Sequence, residues 1–371
     1  METKKSAKRL SLPFYIVRRQ NFSKRNYWLL RIGGVLLAFL VAGIVCTILK
    51  PGSFGTFFIE LGRGTFDFTD ISTIVDLLVR FSILLLISLA LTPAFRMTLW
   101  NIGAEGQVLI GCLAAAGIAK FSPSTLPNIV IILLCLVGAI GASAVWCLIP
   151  AFFKAMFNTN ETLFTLMLNY VAMIAVTMSI SLWVKSGSMS FGVLSQGTFP
   201  RILGSTGFLV IPFAVALFIG MYFYLNKSKH GYEISVLGES ANTARYVGIN
   251  PKKVTIRTMA LCGVLFGVIA FFIVCGVSRS LSESIVGGKG FTGVLVAWLG
   301  HFQPFEIALF AFLSAIMEQG TSTAASAVNI SATQFSAICT GAFFFIIIAC
   351  EFFSNYRIRV HHQKKKEVES L

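Results

Sequence analysis

The residues NIGAEGQ, from Asn101 to Gln107, stand within an otherwise apolar stretch that runs from residue 97 to residue 119. The stretch has the composition of a membrane-spanning helix, yet these seven residues contain one carboxylate, two amides and two glycines. Placing a charged side chain near the centre of such a helix costs about 2.5 to 3.5 kcal/mol. Glu105 is therefore a candidate functional residue that faces a cavity or a neighbouring helix rather than lipid.

The composition of the whole chain supports this interpretation. Hydrophobic residues make up 56% and charged residues only 12% of the 371 residues, whereas soluble domains carry about 25% charged residues. A membrane-spanning helix needs about 20 mainly apolar residues, and ten segments qualify: residues 29–49, 71–91, 97–119, 126–150, 162–184, 207–225, 254–277, 286–300, 304–320 and 332–353. The eighth and ninth are short, as in a helical hairpin or two half-spanning pieces. We predict an all-α polytopic membrane protein with about ten transmembrane helices.

The basic residues orient this bundle. The net charge is +15, and Lys and Arg are concentrated before residue 27, between residues 226 and 257, and after residue 353. Such a bias places these segments and both termini in the cytoplasm, so the charge does not require nucleic acid as a partner. We expect a basic N-terminal arm (1–27), a transmembrane domain (28–353) and a basic tail (354–371). The arm either lies against anionic lipid headgroups or is a retention tail with no specific partner.

The sequence gives no support to an enzyme. All eight cysteines lie in apolar stretches and are expected to pack there without binding metal. No histidine stands beside a cysteine or carboxylate at catalytic or metal-ligand spacing. The run GGKG at residues 287–290 lacks the first glycine and the final hydroxyl of a phosphate-binding loop, and the predicted topology puts it on the outer side. We therefore expect no cofactor on this chain, and any ATP hydrolysis on a separate subunit.

Other polar residues lie inside or beside predicted spans. Asp76 and Arg80 are four residues apart and are expected to form a structural ion pair on one helix face. Asn160 or Thr159 is expected to cap the fifth span, with Glu161 favoured in its first turn. The residues expected to line a substrate pathway are Asn101, Glu105, Gln107, Asn160, Glu161 and Asn169. For Glu105, an interhelical hydrogen bond is an equally good alternative. The glycines at 263 and 267 indicate close helix packing.

Two loops differ in character. The outer loop, residues 50–70, carries Pro51 and four glycines, which we read as helix breakers. The long inner loop, residues 226–253, contains Ser240, which can cap a short helix over residues 241–247 that Gly248 ends. A short helix on a large cytoplasmic loop indicates a docking site for a partner, the alternative being a solvated loop with incidental helix.

Four motifs then occur in order along the chain: NIGAEGQ at 101–107, NET at 160–162 with LNY at 168–170, GE at 238–239 with ARYVGI at 244–249, and GFTGV at 290–294 followed by Pro304. Together they resemble the integral-membrane permease subunits of bacterial ABC importers for nucleosides and simple sugars, a broad family that also serves branched-chain amino acids and ribose. The resemblance covers roughly residues 81–353. Trp298, Phe305 and the run at 240–243 depart from the usual pattern.

The resemblance implies a set of partners in the bacterial cytoplasmic membrane: a cytoplasmic ABC ATPase, a second permease subunit, identical or not, and an extracytoplasmic substrate-binding lipoprotein. The ATPase would be contacted by the inner loop, at Gly231, Tyr232, Gly238, Glu239, Asn242, Ala244, Arg245, Tyr246 and Gly248. The expected solute is a nucleoside or simple sugar, although riboflavin or a ribose-like sugar fits nearly as well. The main alternative is a proton-coupled transporter that works alone, with Glu105 and the Asp76–Arg80 pair as a relay.

Overall fold

The computed structural model describes residues 14–19, 23–184, 190–202 and 204–360. Its helices are α1 (Lys24–Leu49), α2 (Phe54–Phe66), α3 (Ile71–Arg96), α4 (Ala104–Phe121), α5 (Asn128–Phe157), α6 (Glu161–Trp183), α7 (Val210–Lys227), α8 (Lys229–Glu239), α9 (Ala241–Tyr246), α10 (Pro251–Phe272), α11 (Lys289–Leu299), α12 (Pro304–Ala327) and α13 (Ala332–Asn355). A π-helical turn, Ile273–Ser278, continues α10. Within these ranges, eight helices have the length and apolarity to cross a membrane, which confirms an all-α polytopic membrane protein.

The eighth and ninth predicted spans form a hairpin of unequal arms. α11 has 11 residues, so at 1.5 Å per residue it is about 16 Å long and crosses about half of a membrane. α12 has 24 residues and is long enough to cross completely, although it carries Glu306 and Glu318. The turn between them, residues 300–303, lies beside the end of α7, at the end of the bundle that carries α8 and α9. We call this the α8–α9 end.

The third predicted span begins later than expected. Residues 97–103 are not helical, Thr98 has a left-handed backbone with φ of 59°, and α4 begins only at Ala104. The prediction of one continuous helix over residues 97–119 is therefore wrong for its first seven residues. The cause is that Asn101 and its neighbours bond to other side chains instead of continuing a helical ladder. Glu105 consequently lies in the first turn of a helix and not near its centre.

The outer loop is also more ordered than predicted, because residues 54–66 form α2. Its glycines were read as helix breakers, but Gly64 is a packing position: a Cβ there would lie 2.5 Å from the Cβ of Thr323 in α12. Gln319 of α12 donates from Nε2 to the Gly64 carbonyl at 2.9 Å. These contacts with α12 offset the low helix propensity of glycine, which sequence alone does not reveal.

The two ends of the described chain meet in a short antiparallel sheet. Strand β1 (Phe14–Arg18) pairs with strand β4 (Tyr356–Val360), and the Arg19 amide donates to the Asn355 carbonyl at 2.9 Å. A second small sheet joins β2 (Ser190–Phe191) to β3 (Leu281–Ser282). The sequence predicted no strand in the arm or the tail. The remainder of both, residues 1–13 and 361–371, lies outside the described residues.

The core is formed by α3, α4 and α10, which are the most buried of the membrane-crossing helices. α10 packs closely against α5, as the glycine spacing predicted. A Cβ on Gly263 would lie 2.6 Å from the Ala144 Cα, and one on Gly267 would overlap the backbone at Ile140. Because these glycines allow backbones to touch, α10 and α5 act as one support for α4 and the irregular segment before it.

Candidate functional site

The centre of the site is the start of the half-helix α11. The backbone reaches it through Gly287 and Gly288, whose φ angles of 66° and 76° are left-handed; glycine adopts these angles without a steric penalty. Lys289 then begins the helix. Since α11 ends at the α8–α9 end and spans only about 16 Å, Lys289 lies about half-way across the bundle.

Glu105 holds this helix start. Its Oε1 accepts the amide hydrogen of Gly288 at 2.8 Å, and its Oε2 accepts that of Gly290 at 2.7 Å. Glu105 is only 7% exposed, and a Cβ on Gly290 would collide with its backbone. Two helix N-termini, those of α4 and α11, thus meet at one carboxylate, whose negative charge both helix dipoles favour. This is the interhelical hydrogen bond that the sequence offered as the alternative for Glu105.

The neighbouring amide side chains fix residues 97–103, the non-helical segment before α4. Asn101 and Gln107 exchange two hydrogen bonds, of 2.9 and 3.1 Å, and Asn101 also accepts from the Gly103 amide at 3.0 Å. Asn169 of α6 donates to the Ile102 carbonyl and accepts from the Gly106 amide, both at 2.9 Å. All three amide side chains are buried and engaged with protein groups. Their assignment to a substrate pathway stays a prediction.

The other predicted pathway residues lie at the start of α6. Asn160 caps this helix by accepting from the Leu163 amide at 3.2 Å, as the sequence predicted. Glu161 lies in the first helical turn and pairs with Lys154 at 2.8 Å. Asn160 also lines an apolar groove of about 370 Å³. The geometry gives both residues a structural task, and their place in a pathway stays a prediction.

A large cavity opens beside Lys289. It measures about 740 Å³ and lies between α3, α11, α12 and α13. Its polar lining residues are Arg80, Lys289, Thr292, Ser314, Glu318, Ser322, Thr333, Ser336 and Thr340, and its aromatic ones are Phe291, Phe344 and Phe345. The Thr340 hydroxyl is buried and has no hydrogen-bond partner within the described residues. A buried polar atom without a partner is uncommon and indicates a site for a water or a ligand.

Glu318 forms ion pairs with both basic residues of this cavity, and these contacts differ from the ion pair that the sequence predicted. Its Oε1 lies 2.9 Å from Arg80 Nη1 and 3.4 Å from Lys289 Nζ. Arg80 therefore pairs with α12 and not with Asp76: no ion pair joins these two residues of α3, both of which the structure describes. The predicted Asp76–Arg80 pair is wrong because a carboxylate from another helix comes closer to Arg80. Asp76 instead lines a second cavity, of about 310 Å³, that shares Arg80 and Lys289.

The inner loop forms two short helices, α8 and α9. Ser228 caps α8 and Ser240 caps α9, accepting from the amides of Gly231 at 3.0 Å and Thr243 at 3.3 Å. The cap at Ser240 was predicted, whereas α8 was not. Of the residues predicted to contact an ATPase, the exposed ones are Tyr232, Glu239, Asn242, Arg245, Tyr246 and Gly248, and Gly231, Gly238 and Ala244 pack against the bundle.

α8 is fastened to the membrane helices. Arg257 of α10 donates to Glu233 at 2.6 Å, and this bond lowers the pKa of the Glu233 carboxyl. In the next helix, α9, Tyr246 is 93% exposed. A firmly held pair of helices therefore presents a free surface away from the bundle, which is the arrangement that a docking site requires.

Lys289 and Glu318 were not predicted as site residues. Lys289 was placed on the outer side of the membrane, although the Gly-Gly-Lys-Gly run at the start of an unusually short span was a signal for a broken helix. Glu318 carried a signal too, because an acid inside a predicted span needs a partner. Which partner it takes depends on the packing of α12 against α3 and α11.

A bundle of membrane-crossing helices around a mid-membrane half-helix and a polar cavity defines a class, that of the multi-pass transport permeases. The chain belongs to the family described as branched-chain amino acid transport system permease components, whose model matches residues 73–348. The resemblance that the motifs indicated is thereby confirmed.

Individual relatives agree with this family. A glucose ABC transporter permease protein of Haloferax volcanii is 26% identical in an alignment of length 352 that covers 89% of this chain and 90% of the relative. A guanosine ABC transporter permease protein of Bacillus subtilis is 27% identical, with 74% and 80% covered. A nucleoside ABC transporter permease protein of Lactococcus lactis is also 27% identical, with 64% and 69% covered. The predicted function, the permease component of an ABC transporter, is confirmed.

Proposed function

We propose that this chain forms half of the translocation pathway of an ABC importer for a nucleoside or a simple sugar, and that the solute passes through the 740 Å³ cavity. The observation that carries this proposal is the unpartnered Thr340 hydroxyl in the wall of that cavity. The oxygen itself has almost no accessible surface, so a solute hydroxyl or ring nitrogen satisfies it when the Thr340 side chain turns toward the cavity. Small-molecule sites combine a few such polar groups with apolar walls.

The lining of the cavity suits a neutral, hydroxylated solute. Arg80 and Lys289 contribute two positive charges, and Glu318 with the adjacent Asp76 contributes two negative ones. The balance of charge favours an uncharged polar molecule over a phosphorylated one. Hydroxyl side chains match ribose or hexose hydroxyls, and Phe291 and Phe344 offer ring faces for a base or the apolar face of a sugar. The names of the relatives, which include glucose, guanosine and nucleoside permeases, point to the same solutes.

The α8–α9 end is proposed to face the cytoplasm and to contact a separate ABC ATPase. The exposed residues Tyr232, Arg245 and Tyr246 supply an aromatic and cationic surface of the kind enriched in protein interfaces. The basic residues near this end agree with a cytoplasmic location by the positive-inside bias. A second permease subunit and an extracytoplasmic binding lipoprotein complete the proposed importer in the bacterial cytoplasmic membrane.

The test is ATP-dependent uptake by the chain reconstituted in vesicles with its ATPase, partner permease and binding protein. Radiolabelled guanosine and glucose serve as probes. Thr340→Val removes only the hydroxyl, and the loss of one hydrogen bond of about 1 kcal/mol raises the KM for uptake about five-fold. Thr177→Val, on a hydroxyl of α6 that lies outside the cavity, is the control and leaves KM unchanged.

Two results would contradict the proposal. An unchanged KM in Thr340→Val removes the cavity from the solute pathway. Accumulation of either probe by the chain alone, driven by a proton gradient and indifferent to ATP, shows instead the self-sufficient transporter that the sequence left as an alternative.

A further inference from the structure

The turn between α11 and α12 has a strained backbone. His301 and Phe302 are both left-handed, with φ of 47° and 56°, and neither is a glycine. A left-handed backbone crowds the Cβ of any residue other than glycine, so two consecutive residues keep this conformation only when the surroundings fix it. The turn is therefore a place where small changes in outside contacts can shift the backbone.

Arg96, the last residue of α3, supplies the contacts that fix this turn from one side. Its Nε donates to the Phe302 carbonyl at 3.1 Å, and its Nη2 donates to Gln303 Oε1 at 3.1 Å. Its Nη1 reaches the end of α7, 3.4 Å from Asn226 Oδ1. A guanidinium with its donors in a rigid fork can hold two chain segments at once, which an ammonium group cannot do with the same geometry.

The backbone of Arg96 contacts the docking helices directly. Gly238 of α8 packs so closely against the Arg96 carbonyl that a Cβ on Gly238 would overlap it. Glu239, the next residue, is exposed on the proposed ATPase surface. Since packed backbones cannot pass through one another, a displacement of α8 displaces the end of α3 as well.

The other end of α11 carries the cavity. The helix is a single piece of 11 residues, with Lys289 in the cavity wall at its start and the strained turn at its end. Glu105 holds the start through two short hydrogen bonds. A displacement of the turn therefore moves α11 as a rigid body. The groups that move with it are Lys289 and its ion pair with Glu318.

We infer that Arg96 is a positioning residue that transmits displacement of α8 and α9 to the half-helix α11 and so to the cavity. The inference rests on the proposed function, because the displacement comes from an ATPase docked on α8 and α9. Arg96 does not line the 740 Å³ cavity. It acts instead by joining the end of α3 to the turn between α11 and α12.

The experiment measures solute uptake and ATP hydrolysis together in the reconstituted importer. In Arg96→Gln we expect the ATPase to co-purify as in the wild type and ATP hydrolysis to continue, whereas the ratio of uptake to hydrolysis falls about ten-fold. In Arg96→Lys, which keeps the charge but not the forked arrangement of donors, the ratio of uptake to hydrolysis is expected to lie between those of the wild type and Arg96→Gln. Arg63→Gln is the matched control, because Arg63 is exposed in α2 and pairs only with Glu60 in the described structure; its ratio stays that of the wild type.

A second variant covers a failure of Arg96→Gln to fold. Gln303→Ala removes one acceptor of the Arg96 fork from an exposed position, and the same ratio is expected to fall two- to five-fold. An unchanged ratio in both variants, with a wild type that couples uptake to ATP, overturns the role of Arg96 alone. A wild-type complex that fails to retain the ATPase overturns the proposed function instead.

Discussion

At the scale of single residues, contacts within one helix could be predicted from the sequence, whereas the partners of residues between helices could not. The caps at Asn160 and Ser240 were predictable, because a side-chain oxygen and an amide three residues on define each of them. The Asp76–Arg80 pair failed although its spacing was right. Spacing indicates which residues can meet on one helix, but Arg80 forms its ion pair with the Glu318 carboxylate of α12. For buried charges the nearest partner is set by packing, which lies beyond a single-sequence argument.

His301 gives this protein a pH-dependent contact. Its Nδ1 lies 3.0 Å from Glu306 of α12, and its Nε2 lies 3.5 Å from Glu351 of α13. Arg31 of α1 lies 3.0 Å from Glu351 and 3.5 Å from His301 Nδ1, and Tyr27 of α1 donates to Glu351. Hydrogen bonding to Glu351 and Glu306 raises the pKa of His301 above its ordinary value of 6.5, although burial opposes the rise.

Because the folded-state pKa is raised, protonated His301 stabilises the fold, and this contribution is full below pH 6.5. It disappears as pH rises through the higher folded-state pKa. We expect the thermal midpoint of the detergent-purified protein to fall between pH 6 and pH 8.5, and the fall to be smaller in His301→Gln. Parallel pH curves for the two proteins would contradict this role.

At the scale of elements, the sequence predicted the long apolar helices and missed those that depend on their neighbours. α5 continues through Pro150 to Phe157, beyond the predicted end, and residues 97–103 leave the helix that hydropathy assigned to them. Hydropathy reports membrane depth and not backbone conformation. The half-helix α11 was recognisable as short, but the carboxylate that begins it comes from Glu105, 185 residues away in sequence from Gly290.

Two variants of α2 test why its glycines, which were predicted to break a helix, are tolerated there. Gly64→Ala places a Cβ against Thr323, and such overpacking costs about 1 to 3 kcal/mol of stability. Gly62→Ala, two residues earlier in the same helix, meets no atom within 4 Å and gains about 1 kcal/mol of helix propensity. The thermal midpoint is therefore expected to fall in the first variant and to rise in the second. Equal effects would mean that Gly64 is not a packing position.

At the scale of the whole molecule, chain ends that are far apart in sequence are brought together. α1 and α13 pack side by side, so β1 and β4 meet at the α8–α9 end, and Arg31 of α1 binds Glu351 of α13. Composition was enough to predict the class of protein, and the side of the membrane on which each segment lies stays a prediction from the basic bias. They could not predict this closure, since contacts between the first and last helices follow from the arrangement of all the helices between them.

The orientation of the whole bundle can be measured with two single cysteines. Seven of the native cysteines are buried and Cys350 is partly buried, so Cys350→Ser gives a background with little labelling. In that background Tyr246→Cys and Phe68→Cys place thiols at positions that are 93% and 83% exposed, on α9 and on the link between α2 and α3. α2 follows the far end of α1, which begins beside β1 and β4, so the two positions lie on opposite sides of the membrane. Basic residues concentrate near α9, and the positive-inside bias therefore predicts that α9 faces the cytoplasm. A membrane-impermeant maleimide is expected to label Phe68→Cys in intact cells and Tyr246→Cys only after permeabilisation. The reverse pattern would place α8 and α9 outside, where no cytoplasmic ATPase could reach them.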